Sequence, residues 1–197
     1  MAATTENPII FYELSSTSGQ YWSFNTFKTR LTLNYKGIPY RVQYIRLHEI
    51  QSTLKALGVP LPKTKSRYTL PTIADPSSDP NGQPTYISDS LEIAAYLDDN
   101  YPAPKYPAIL PPATRPLQKI FVDHYFFSNI RPLLPFIHSF AIHKFADHEE
   151  REYLYQARGK DYFDPPTEEV AAQRLTEARE KWEEFGQALD FSRSNSP

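Results

Sequence analysis

The chain of 197 residues contains no cysteine and only six glycines, and it has no apolar run approaching the ~20 residues needed to cross a bilayer. The absence of cysteine excludes disulfides and any thiol chemistry of the chain's own; it permits a reducing compartment without requiring one. Phosphate-cradling glycine-rich loops are missing, as is the G-x-S-x-G elbow of a serine hydrolase. Neither sign of charge dominates. Lys and Arg number 21 against 23 Asp and Glu, a formal net charge of −2, which gives no electrostatic reason to expect nucleic acid as a partner. The opening segment, residues 1–14, has no basic region and only a short apolar stretch, so it does not read as a secretory signal. A soluble, cytoplasmic protein with no membrane partner is the expectation.

What the chain has is aromatic. Fourteen Tyr and twelve Phe within a 40% hydrophobic composition argue against global disorder. The length fits one large domain or two small ones and suffices to bury a core.

Along the chain, Pro8–Leu14 reads as a first strand, short, apolar and closed by the polar cluster Ser15–Gly19. From Ser23 the pattern turns helical, with Phe27, Leu31, Leu33 and Tyr35 near helical spacing and Gly37 placed as a stop. Ile38–Leu47 alternates as a second strand, and Glu49–Leu57 is a short helix ended at Gly58. A loop rich in Pro and Lys spans Val59–Arg67, a strand lies within Tyr68–Asp75, and another covers Thr85–Ser88. Ser90 opens a helix whose apolar face is Leu91, Ile93, Ala94, Tyr96 and Leu97. The order is β-α-β-α-β-β-α, a compact α/β unit.

Residues 102–112, holding five prolines, form a linker. Beyond them no strand is expected. Ala113–Phe145 is aromatic and helical in period, with breaks expected at Pro132 and Pro135. Helices are also expected over Glu149–Arg158 and Thr167–Asp190, with a disordered tail over 191–197. The aromatic residues of this half, Phe121, Tyr125, Phe126, Phe127, Phe136, Phe140 and Phe145 among them, are expected to be mostly core. His124, His138, His143 and His148 include no pair at the i, i+4 spacing that would put two imidazoles on one helix face, so no metal site is expected.

Three local features carry candidate chemistry. Tyr21-Trp22-Ser23-Phe24 places a hydroxyl at a helix start, where serine ordinarily caps backbone N–H groups but can also donate to a bound thiolate beside the helix's positive end. Leu70-Pro71-Thr72-Ile73 places a proline at the start of a strand, either an ordinary edge proline or a structural bend beside a ligand. Asp89-Ser90 stands at a helix N-terminus, as plain capping residues or as a site for an α-amino and an α-carboxylate group.

Together, the aromatic-Ser-x-x-x-aromatic-Lys helix start, the Leu-Pro strand and Ser88-Asp89-Ser90-x-x-Ile93-x-x-Tyr96-Leu97 resemble the glutathione transferases. The segment Trp22–Arg30, followed by Leu33–Tyr40, is similar to the fungal serine-type FuA class related to bacterial lignin etherases. The resemblance covers about the first 145 residues. It implies a thioredoxin-like glutathione-binding domain over 1–101 and an all-helical domain over 113–190. It further implies that glutathione, as co-substrate, meets Trp22 and Ser23, with Ser23 holding the thiolate as the catalytic residue. Leu70, before a cis Pro71, would be the backbone anchor, and Asp89 with Ser90 the γ-glutamyl site. Tyr125, Phe126 and Phe136 would wall an aromatic co-substrate. Family members continue through further helices, so the helical domain is expected to be incomplete and to expose apolar surface; a homodimer is also implied. The activity implied is conjugation to aromatic electrophiles or peroxide reduction. The alternatives are a non-catalytic binder of aromatic or phenolic molecules and an inactive truncated isoform.

Overall fold

The computed structural model describes residues 3–19, 21–61, 67–76 and 82–190. The loop positions Lys63 and Lys65 and the expected tail over 191–197 lie outside them. The chain divides into two compact units, Met1–Arg115 and Pro116–Pro197.

The first unit is built on four strands: β1 (Ile9–Leu14), β2 (Tyr40–Ile45), β3 (Thr72–Asp75) and β4 (Thr85–Ser88). Their order in the sheet is β2-β1-β3-β4. β1 and β2 run parallel, with Phe11 opposite Val42, while β3 is antiparallel to both β1 and β4. A parallel pair requires a crossover connection, and α1 (Phe24–Lys36) supplies it. α2 (Ile50–Ala56) follows β2, and α3 (Ser90–Asn100) follows β4. This is the thioredoxin-like arrangement. β4 occupies the expected span, while the other three strands are shorter than expected. β3 begins only at Thr72 because Pro71, directly before it, has no N–H for a ladder. β2 begins at Tyr40 because the residues before it finish α1: Gly37, at φ 64°, donates to Asn34 O and Ile38 donates to Leu33 O.

Both sheet faces are covered. On one, Ile9, Phe11, Leu33, Ile73, Ile93, Leu97 and Tyr101 are fully buried together; on the other, Tyr12, Ile45, Leu54, Val59 and Ala74 form a second cluster. Burial against Tyr86, with a hydrogen bond to it, pushes the Tyr12 hydroxyl up to about 12.

The inward face of α1 is largely polar. Its buried face is Thr26, Thr29, Arg30, Thr32, Leu33 and Lys36, whereas Phe27, Leu31 and Tyr35 are exposed, Tyr35 by 64%. Polar residues occupy the inner face because the unit supplies partners there. Lys36 Nζ donates to Asp98 Oδ1 at 2.7 Å and to Pro107 O at 2.9 Å. Asp98 also accepts from the N–H groups of Ile109 and Leu110 at 2.7–3.1 Å. Asp75, with no exposed surface, accepts from the hydroxyls of Tyr96 and Tyr101, each at 2.8 Å.

The second unit is helical. From α4 (Arg115–Ile120), which straddles the division, the chain continues through a π-helical stretch (Phe121–Phe126), α5 (Phe127–Ile130), a 3-10 turn (Arg131–Leu133) and α6 (Leu134–Phe145). α7 (His148–Arg158) and α8 (Glu168–Asp190) complete it. Pro132 sits in the 3-10 turn and Pro135 in the first turn of α6, where a missing N–H costs nothing. The helical path therefore passes both prolines, with a change of helix type only around the first. The π-helical stretch was not anticipated. α7 opens with a capping box in which Asp147 accepts from the Glu150 N–H and Glu150 accepts from the Asp147 N–H.

The expected aromatic core of this unit is corrected. Phe145 is buried, but Phe121, Phe126, Phe127 and Phe140 are exposed by 37–60%. Ala141, Ile142, Ala146 and Phe163 do the burying. Among the described residues no helix is long and apolar enough to cross a membrane.

Candidate functional site

Ser23 ends the loop after β1 with an extended backbone (φ −83°, ψ 115°), and its carbonyl accepts from the Phe27 N–H at 2.9 Å, the first bond of α1. Its Oγ accepts from the Thr26 N–H at 3.5 Å, the outer limit for a hydrogen bond. The cap is thus weakly made, and the half-buried hydroxyl has its proton to give. A cleft of about 240 Å³ opens here, lined by Tyr21, Trp22, Ser23, Phe24 and Phe27. Trp22 is fixed by its indole N–H, which donates to Ser15 O at 2.8 Å. A hydroxyl at the positive end of a 13-residue helix, walled by rings, suits an anion with an apolar neighbour.

Beneath the cleft lies a polar cluster that the sequence reading missed. Glu13 of β1 is 1% exposed and forms an ion pair with Arg30 of α1. The Thr26 hydroxyl is 3.0 Å from Glu13 Oε1 and 3.1 Å from Ser23 O. The Arg30 guanidinium lies 3.7 Å from the Tyr21 ring centre, and its Nη1 donates to the Tyr40 hydroxyl at 3.3 Å. Burial works against the Arg30 charge, and Glu13 more than restores it. The signal was present. Ile9, Phe11 and Glu13 share one strand face, and a carboxylate on a face that apolar residues bury requires a cation.

The Leu70–Pro71 peptide is cis. Leu70 is half-buried, and its backbone makes no hydrogen bond among the described residues. The Pro71 carbonyl accepts from the Asp89 N–H at 3.2 Å, so these two motifs meet directly. Asp89 caps α3, its Oδ1 accepting from the Leu91 N–H at 3.0 Å, and it holds φ at 88°. That value is in the region that disfavours side chains. Ser90 follows as the first residue of α3, half-buried. Lys28 on α1 faces the same end of α3: desolvation lowers its ammonium below the ordinary lysine value, and Asp89 opposes the shift.

Tyr125, Phe126 and Phe136 belong to the second unit. Tyr125 lies 5.5 Å from Phe121 and 5.7 Å from Phe185, and Phe126 packs edge-on to Trp182 at 6.1 Å; Phe136 is half-buried. A larger cavity of about 730 Å³ lies within this unit, but its rim mixes Arg131, Arg174 and Lys181 with Asp161 and Glu177, and it contains none of the expected site residues. Among the described residues no cluster of three His, Asp or Glu side chains converges.

Comparison with known proteins bears on this geometry. Residues 22–100 match the profile of the family described as glutathione S-transferase, N-terminal domain. A curated relative, the glutathione S-transferase-like protein ustS of Aspergillus flavus, is 41% identical over 108 residues. That match takes in 53% of this chain and 39% of the relative, so the chain spans about two fifths of the relative's length. Among solved structures, a glutathione S-transferase of Ceriporiopsis subvermispora in complex with glutathione superposes with a TM-score of 0.76 at 31% identity, covering 97% of this chain and 76% of that one. The glutathione transferase GSTFuA2 of Phanerochaete chrysosporium gives a TM-score of 0.76 at 26% identity, over 96% and 74%. The matched profile spans the serine cap, the cis-proline strand and the start of α3, and the solved relatives follow nearly the whole chain: it belongs to the glutathione S-transferase family.

Proposed function

We propose that the chain is a glutathione transferase in which the Ser23 hydroxyl donates a hydrogen bond to the glutathione sulfur and holds it as a thiolate. The observation that carries this is the Ser23 side chain itself, weakly engaged as a cap at 3.5 Å and opening on a ring-lined cleft. Magnitudes favour the role. A thiol with a pKa of about 8.5 is only ~3% ionised at pH 7, and lowering it by about two units makes it roughly three-quarters ionised, at a cost of ~2.7 kcal/mol in differential interaction. One charge-assisted hydrogen bond and a helix terminus together supply that much.

In this reading the Leu70 backbone pairs with the tripeptide. Asp89 and Ser90 take the γ-glutamyl ammonium and carboxylate, which the helix end at Ser90 also suits. The bound thiolate then attacks an electrophilic carbon or a peroxide oxygen, and proximity completes the catalysis. The rings of Tyr21, Phe24 and Phe27 point to an aromatic co-substrate. A serine cannot form the mixed disulfide of a cysteine-type reductase.

Glutathione titrated into the protein by calorimetry should bind saturably. Ser23→Ala should keep affinity within a few-fold and lose conjugation rate at pH 7 by an amount approaching, but not exceeding, the roughly 25-fold ratio of the two ionised fractions, since the helix terminus remains. A folded protein that binds no glutathione would discard this reading. A second reading, uptake of aromatic or phenolic molecules without turnover, draws on the exposed Phe121, Phe126, Phe127 and Phe140. Under it, ligand uptake is indifferent to Ser23→Ala.

A further inference from the structure

Contacts from both sides of Ser23 lead to one buried charge. The Thr26 hydroxyl lies between Glu13 Oε1 and the Ser23 carbonyl. Arg30, one helical turn further along α1, pairs with the other oxygen of Glu13 and stacks against Tyr21, two residues before Ser23. Tyr21 is half exposed and lines the cleft beside Ser23. Tyr44 on β2, the edge strand, stands beside it, and desolvation, followed by the neighbouring Tyr21, raises the Tyr44 hydroxyl. Glu13 is therefore bracketed by the helix residue that holds the Ser23 carbonyl and by the arginine on which the cleft wall rests.

We propose that Glu13, Thr26, Arg30 and Tyr21 form a positioning device for the nucleophile, in which the buried ion pair sets the direction of the Ser23 hydroxyl and the place of the Tyr21 ring. The proposal rests on the role of Ser23 proposed above and adds which residues create it. Ion pairs buried this deeply contribute little net stability compared with apolar replacements of similar volume, whereas geometry at a reacting atom is sensitive to small displacements. The ring of Tyr21 is held face-on by a guanidinium, an arrangement lysine does not reproduce. The other charged and titratable groups around the device are Tyr40 and Tyr44 on β2 and, between Thr26 and Arg30 on α1, Lys28 with Asp89 at the start of α3.

The test measures the ionisation of bound glutathione from the ultraviolet absorbance of its thiolate against pH, with affinity from calorimetry. The variants are Thr26→Val, Tyr21→Leu, Tyr21→Phe and Arg30→Lys. Thr26→Val and Tyr21→Leu remove one contact each without unpairing the buried charge, so they report even where Arg30→Lys fails to fold. The expected result is glutathione affinity within about threefold of the parent, with the bound thiol titrating about one pH unit higher, a roughly tenfold loss of thiolate well below that pH. Tyr21→Phe, which keeps the stacked ring, restores most of the parent's behaviour. Variants that melt earlier while their bound thiol titrates as in the parent would show a purely structural cluster and overturn the proposal. If the parent itself binds glutathione with an unshifted thiol, the Ser23 role fails first, and the proposal with it. Failure confined to the variants leaves the role of Ser23 standing.

Discussion

Asp89 meets two demands at once. Its backbone holds φ at 88° and its carboxylate caps α3, and the same carboxylate is the one proposed above to take the γ-glutamyl ammonium. Residues without a Cβ adopt such a backbone without strain, whereas with ψ at 130° it lies outside the left-handed helical region that Asn and Asp visit. The two demands separate by substitution. Asp89→Gly should keep the melting temperature within a few degrees while glutathione affinity falls tenfold or more, since a charge-assisted hydrogen bond is lost. Asp89→Asn, which keeps the cap and removes the charge, should fall between parent and glycine in affinity. Calorimetry beside a thermal melt checks both. Equal affinity in all three would remove Asp89 from the ligand site and leave it a turn residue. The sequence disclosed this aspartate as a cap, but not the positive φ, because nothing local in Ser88-Asp89-Ser90 demands it. The constraint comes from the hydrogen bond of its N–H to Pro71 O, a residue far away in the chain.

Among the elements, α1 shows most clearly where sequence pattern and packing part. Its apolar residues sit near helical spacing, which marks the helix correctly, yet Phe27, Leu31 and Tyr35 face outward and Leu33 shares the inward face with polar residues. Leu33→Ala should cost 2–5 kcal/mol of unfolding free energy (an order-of-magnitude range), because it empties a site with no exposed surface. Leu31→Gln, at 53% exposure, should change it by less than about 0.5 kcal/mol. Urea denaturation of the two variants decides the orientation. Helix and strand identities, the β-α-β-α-β-β-α order and the helix caps at Ser23 and Asp89 were legible because periodicity, caps and prolines act locally. The inward face of α1 was not legible, since it depends on Glu13 and Asp98, partners contributed by other elements. The same pairing sets an acid limit. Burial raises the Asp98 carboxyl, but the Lys36 ammonium and the N–H groups of Leu110 and Ile109 outweigh it, leaving the group below its ordinary value. A carboxylate lowered in this way contributes stability that is fully present above its unfolded value of about 3.9 and is lost as the pH falls through the folded value. Asp98→Asn, which strands the buried Lys36 ammonium, should therefore cost several kcal/mol at pH 7, about 3–5 for a broken buried pair. Its deficit against the parent should shrink once the pH drops below about 4, as followed by denaturant midpoints.

At the scale of the whole molecule, ligand binding should reveal the division into two units. A glutathione concentration about a hundred times the dissociation constant adds roughly 2.7 kcal/mol to whatever folds around the site. If the two units unfold separately, only the transition of residues 1–115 should rise with glutathione, while the helical transition stays in place. Differential scanning calorimetry with and without ligand distinguishes this from one cooperative melt. The sheet order β2-β1-β3-β4 also puts the first strand made in the middle of the sheet. While the ribosome delivers the chain at about 5–20 residues per second, β1 has one neighbour in β2 and must wait for β3 on its other side. Lys36 waits about as long, since Asp98 lies 62 positions downstream, and the Ala3 N–H waits 98 positions for the Tyr101 hydroxyl. The amino-terminal third of the nascent protein therefore leaves the ribosome with an open strand edge and a lysine destined for burial, a stretch of several seconds in which chaperone contact would have most to protect.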